Sequence, residues 1–122
     1  GFCFGGLCAL DLARAGEDVR GVASFHGVLN RPESLPIVPI QASVIVFHGW
    51  DDPMAPPNDV VALGHELTTA RADWQVHAYG DTMHAFMAVG VDRPEAGLQY
   101  NARSAKRAWT ALETFLEECF AS

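Results

Sequence analysis

The first six residues, Gly1-Phe2-Cys3-Phe4-Gly5-Gly6, constrain the fold more than any other stretch. Glycines flank a cysteine in the spacing G-x-C-x-G, the spacing of a sharp strand-to-helix turn that holds a nucleophile at its apex. Glycine is needed where such a turn presses backbone against backbone, because a side chain would fill the gap. The turn also dictates its neighbours: a strand must lead into it and a helix must follow. The helix is legible, with Leu7, Leu10 and Ala13 at helical spacing, Ala9 and Leu12 beside them, and Gly16 as its stop. No strand stands in front of it. The expectation is therefore that residues 1–122 are the C-terminal part of a single domain whose N-terminal half is absent.

The rest of the chain alternates between strand and helix patterns. Val19 to Phe25 is short, apolar and β-branched, which reads as a strand. Pro32, Pro36 and Pro39 mark the following segment as a loop. Ser43 to His48 is a continuous apolar run, suited to a central parallel strand covered on both faces. After a proline-rich loop from Gly49 to Pro57, a helix is expected to start at Asn58 or Asp59, with Val60, Leu63 and Leu67 on one face. Trp74 to Tyr79 alternates as a half-buried strand does, and a long loop is expected from Gly80 to about Pro94. Ala105, Ala108, Trp109, Leu112, Phe115, Leu116 and Phe120 form the apolar stripe of a last helix. This order implies an α/β fold with a parallel sheet, whose chemistry gathers at the carboxyl ends of the strands.

Composition narrows the function. Hydrophobic residues make up 49% of the chain, which excludes a disordered segment. A formal net charge of −7 argues against a nucleic-acid partner, and no apolar run reaches the ~18 residues of a membrane span. Three cysteines without CxxC spacing fit neither a disulfide framework nor a zinc ribbon, and suit a reducing cytoplasm. No two histidines have the i, i+4 spacing of a helical metal site, so a zinc site is not expected.

Each of the three strand-end loops carries a residue of catalytic type. Cys3 lies in the turn, Asp51 and Asp52 lie in His48-Gly49-Trp50-Asp51-Asp52-Pro53, and His84 lies in Thr82-Met83-His84-Ala85-Phe86. The order nucleophile, acid, histidine is that of α/β-hydrolases and differs from both serine-protease orders. A thiol attacks poorly until it ionises. His84 is placed to take its proton, and an acid would fix the imidazole tautomer. The acid directly before proline is the usual triad member of this fold, so Asp52 is preferred to Asp51. The helix dipole is expected to favour thiolate at Cys3. The backbone N–H of Phe4, next after the nucleophile, is expected to supply one oxyanion-hole donor.

These segments resemble the dienelactone hydrolase family. The resemblance rests on Gly1-Phe2-Cys3-Phe4-Gly5-Gly6, on Phe47 through Pro56, on Tyr79 through Phe86, and on Tyr100-Asn101-Ala102 through Ala108-Trp109. It implies a cofactor-free hydrolase of small esters or lactones, with Cys3 as nucleophile, Asp52 as acid and His84 as base. It also implies a partial α/β-hydrolase fold, the last three strands of a mostly parallel sheet with flanking helices. In one respect the chain departs from the pattern: Ala88 stands where the type enzyme has an arginine for the substrate carboxylate, and its neighbours Phe86-Met87-Ala88-Val89 are apolar. A neutral or differently anchored ester then becomes at least as good a substrate as an anionic lactone.

Trp50 and Phe86 are the expected apolar lining of a substrate pocket. His26 is read as a hydrogen-bonded structural histidine, His48 as a residue shaping the acid loop, and His65 and His77 as solvent-compatible. Cys8 and Trp109 are expected in the core and Cys119 is expected to be inert. The competing reading is a non-catalytic fragment or module that is stable only with a partner, because three parallel strands leave a raw sheet edge. The sequence leaves the oligomeric state open.

Overall fold

Residues 1–121 are described by a computed structural model. Helix α1 (Phe4–Arg14) follows the turn directly, and strand β1 (Gly21–Phe25) follows α1. Strand β2 (Ser43–Gly49), helix α2 (Pro57–Thr69) and strand β3 (Asp73–Tyr79) come next. The three strands form one parallel sheet in the order β1-β2-β3, with Phe25 beside Phe47 and Phe47 beside His77. The turn is stitched to the free side of β1. Phe2 pairs in parallel with Phe25, the Cys3 N–H donates to the Phe25 carbonyl at 3.0 Å, and the Phe25 N–H donates to the Gly1 carbonyl at 2.9 Å.

The apolar run in β2 is explained by two cores. Val44 and Val46 face a cluster that includes Leu10 and Ala13 of α1 and Leu63 and Leu67 of α2. Ile45 and Phe47 face the other side, with Phe25, Phe86 and, from helix α3 (Ala102–Phe120), Ala108 and Phe115. A strand buried on both faces loses the polar half of its alternation. Asn101 caps α3 by accepting from the Ser104 N–H at 3.0 Å, which satisfies one of the free donors of the first turn.

A buried arginine ties the α1 side together. Arg14 is 3% exposed. Its Nε and Nη2 donate to the two carboxylate oxygens of Glu66, each at 2.8 Å. Its remaining donors reach Asp11 at 3.1 Å and the carbonyls of Leu29 and Asn30 at 2.6 and 3.2 Å. The rigid guanidinium fork suits this paired geometry, which a lysine could not reproduce.

Four details differ from the sequence reading. Helix α2 begins at Pro57, after Pro56, because proline's fixed φ suits the first helical position. Cys8 is exposed, since Leu10 and Ala13 set the buried phase of α1 and Cys8 falls off it. Trp109 is 48% exposed, its ring tilted against Phe2 and Phe25 at 6.3 and 5.7 Å. The expected loop region ends in a small ribbon: β4 (Asp92–Arg93), a 3-10 turn (Pro94–Ala96) and β5 (Leu98–Gln99), with β4 antiparallel to β5. Strands of two residues are too short to show a period of two.

Candidate active site

Cys3 sits at the apex of the turn with φ 52° and ψ −120°. A non-glycine residue there carries strain of ~1–3 kcal/mol, held in place by the surrounding structure. The close approach that forbids a side chain falls at Gly1, where a Cβ would lie 2.1 Å from the Gly5 carbonyl oxygen. Phe4 opens α1, so its backbone N–H has no carbonyl one turn behind it and is free to donate. The Phe4 side chain itself is 76% exposed.

Asp52 lies on the loop after β2, its side chain fully buried. Oδ1 accepts from the Met54 N–H at 2.8 Å, and Oδ2 lies 2.7 Å from His84 Nδ1. The loop is pinned to its neighbour by the Trp50 N–H on the Tyr79 carbonyl and the Asp51 N–H on the Thr82 carbonyl, both at 2.9 Å. Asp51 itself is exposed. Of the two acids, the structure therefore brings Asp52 to the histidine.

His84 is held through its backbone by the ribbon. Its N–H donates to the Gly97 carbonyl at 3.0 Å and its carbonyl accepts from the Gln99 N–H at 3.1 Å. Gly97 has φ 79°, and a Cβ there would lie 2.5 Å from Pro53 Cγ. One glycine thus keys the histidine loop to the acid loop. Because Nδ1 donates to Asp52, Nε2 is the basic nitrogen left for chemistry.

The sulfur of Cys3 and ring nitrogens of His26 and His84 all lie within 4.8 Å of one another. Within this group the sulfur's hydrogen bond is to His26 Nδ1, at 3.2 Å, rather than to His84. Sequence reasoning took His26 as a structural residue; the fold turns it, at φ 41°, directly onto the nucleophile candidate. Its ring meets His84 and Phe86 edge-on at 5.4 and 5.3 Å, and Nε2 is buried without a partner. Burial, and then the neighbouring His84, push the His26 pKa down to about 4, so this imidazole is neutral near neutrality. Burial, then the negative charge of Asp52, push the Cys3 thiol up. Both causes work against thiolate, in the direction opposite to the expected pull of the helix dipole.

This reverses the order of reactivity that an activated cysteine would show. With substrate absent, Cys8 is expected to alkylate faster than Cys3 at about pH 7, because thiolate is the reactive form and Cys8 is exposed. A raised pKa lowers the thiolate fraction at neutral pH, so Cys3 labelling should climb steeply on the alkaline side of the ordinary thiol value. Peptide mapping after iodoacetamide across a pH series checks this. Preferential labelling of Cys3 at neutral pH would contradict it.

The proposed lining residues divide. Trp50 is 43% exposed beside the ring of His48. Phe86 is fully buried in the α3-side core and supports the His26 ring from within, because the sequence pattern does not separate a ring on the pocket wall from one beneath it. Arg93 lies on the ribbon, paired with Glu95 at 3.3 Å. Among the described residues, no helix is long and apolar enough to cross a membrane.

The dienelactone hydrolase family model matches residues 1–120. An uncharacterized protein of Caenorhabditis elegans is 37% identical over 99% of this chain and 78% of its own length. Among solved structures, m3DLH is 36% identical with a TM-score of 0.85, over 99% of this chain and 51% of that one. A dienelactone hydrolase-like promiscuous phosphotriesterase from metagenomic libraries is 34% identical with a TM-score of 0.82, over the same shares. The chain spans about half the length of these solved relatives. With the turn paired to the free side of β1, the acid and histidine loops at the ends of β2 and β3, and a family match that runs from Gly1 through the last helix, the chain belongs to the dienelactone hydrolase family.

Proposed function

We propose that the protein hydrolyses small carboxylic esters or lactones, with Cys3 as nucleophile, His84 as general base and Asp52 as the acid that orients it. The observation that carries this reading is the buried 2.7 Å pair of Asp52 and His84, with the Cys3 sulfur within 4.8 Å of a His84 ring nitrogen. The reading requires the sulfur to turn from His26 toward His84 Nε2, within the 4.8 Å that already separates the sulfur from a His84 ring nitrogen. His84 takes the thiol proton as the sulfur attacks the carbonyl, Asp52 stabilises the imidazolium, and the Phe4 N–H donates to the developing oxyanion. The tetrahedral adduct expels the alkoxide, which takes the proton from His84. Water, deprotonated by the same imidazole, then cleaves the thioester and releases the acid.

Ala88 and its apolar neighbours favour a neutral substrate, with Trp50 flanking the acyl group or the alcohol. On this reading residues 1–122 are the C-terminal part of a single α/β-hydrolase domain, and the second oxyanion donor belongs to a loop earlier in its sheet. Three free cysteines suit a cytoplasmic setting.

The test compares kcat/KM of the full-length protein for a neutral ester and for the same ester carrying a carboxylate, with a phosphotriester as a third arm. The neutral ester is expected to be turned over best. Failure to hydrolyse any carboxylic ester or lactone, by a folded protein, would overturn the proposal in favour of a non-catalytic module. The phosphotriester arm follows from what is said of the 34% identical metagenomic relative.

A further inference from the structure

We infer that Cys3, His26 and His84 form a latent binding site for a borderline-soft divalent cation, of which zinc is the type. The three residues come from the turn, the end of β1 and the histidine loop, so no linear spacing announces them. Their sulfur and ring nitrogens lie within 4.8 Å of one another, and Cys3 Sγ is 3.2 Å from His26 Nδ1. Zinc binds thiolate at about 2.3 Å and imidazole at about 2.0–2.1 Å in a tetrahedron, which sets neighbouring ligand atoms about 3.5 Å apart. The cluster reaches that spacing by side-chain shifts on the order of an ångström.

Two further features suit a metal. His84 already donates Nδ1–H to the buried carboxylate of Asp52, the arrangement that orients a zinc-binding histidine and makes it a stronger ligand. His26 already presents Nδ1 to the sulfur at 3.2 Å, and its Nε2 is buried without a hydrogen-bond partner. Three protein ligands leave the fourth position for water, as in an open zinc site. Binding replaces the S–H bond with a sulfur–metal bond and releases the proton to solvent, while the thiolate and Asp52 balance the charge of the cation. Binding stands on geometry alone. Its consequence, metal-inhibited hydrolysis, rests on the function proposed above, because the metal would occupy both the attacking sulfur and the nitrogen of the base.

The test titrates the reduced full-length protein with Zn2+ against a chromophoric chelator, and with Co2+ to read the thiolate-to-metal absorption band. One equivalent is expected to bind. Affinity should fall on the order of 100-fold or more in His26→Phe and in Cys3→Ser, and stay unchanged in Cys8→Ser. Equal affinity in a folded His26→Phe, or loss of binding in Cys8→Ser, would overturn the site. Should His26→Phe not fold, the wild-type protein decides. Zinc protection of Cys3 from alkylation together with a cobalt–thiolate band supports the site, and absence of either overturns it. Ester turnover is followed in parallel. Zinc bound by these residues in a protein with no esterase activity sustains the site and removes the hydrolase reading. Turnover indifferent to saturating zinc, with no thiolate band, does the reverse.

Discussion

Asp52→Asn is expected to lower kcat/KM for a neutral ester by about 10⁴-fold, with KM nearly unchanged. Asp52 is fully buried and each of its oxygens accepts one bond, from Met54 N–H and from His84 Nδ1–H. An asparagine offers one acceptor and one donor in the same place. With its oxygen on Met54, its NH2 faces His84 and Nδ1 must become an acceptor. The proton then sits on Nε2, and no base faces the sulfur. The effect falls on the transition state rather than on ground-state binding, so it appears in kcat. Steady-state kinetics beside a melting curve check this. A folded variant within ten-fold of wild type would remove Asp52 from the mechanism.

Arg14→Ala is expected to cost about 3–5 kcal/mol of stability. Arg14 is 3% exposed, and its loss strands the Glu66 carboxylate, whose side chain is 14% exposed, together with the carbonyls of Leu29 and Asn30. A buried charge without its partner pays desolvation in full. The bond to Asp11 contributes least, because that side chain is 32% exposed and better solvated. Arg14→Lys is expected to recover little, since an ammonium cannot fork onto both Glu66 oxygens. Denaturant midpoints measure the losses. A cost for Arg14→Ala below about 1 kcal/mol would show that α1 and α2 are joined by apolar packing alone.

The sheet was legible because its signals are local. A continuous apolar run at Ser43–His48 and an alternating one at Trp74–Tyr79 mark strands with different burial, and the structure places them at the centre and the edge. The residues of the candidate triad were legible because Asp52 and His84 each follow a strand and Cys3 sits between glycines just before a helix. What escaped was set by distance in the chain. Arg14 and Glu66 meet across 52 residues, and nothing in the spacing of either announces a buried pair. His26 was visible as Phe25-His26-Gly27, yet its aim at Cys3 depends on a positive φ that no propensity encodes for histidine. The ribbon around Gly97 left one trace, Pro94 followed by Gly97, which signals a turn without saying that the turn holds His84. The causes that push the Cys3 thiol up, burial and the nearby Asp52, are properties of the fold, whereas the helix and the histidine are legible in sequence.

The central claim, that the Cys3 sulfur forms a thioester with the acyl group, is tested most directly by acid-quenching the full-length protein during turnover of an activated ester and mapping the acyl group by mass spectrometry. The account predicts a single acyl group on the Cys3 peptide, absent from Cys3→Ala and not moved to Cys8 or Cys119. Undiminished turnover in Cys3→Ala, or an acyl group carried elsewhere in the wild-type chain, would contradict it.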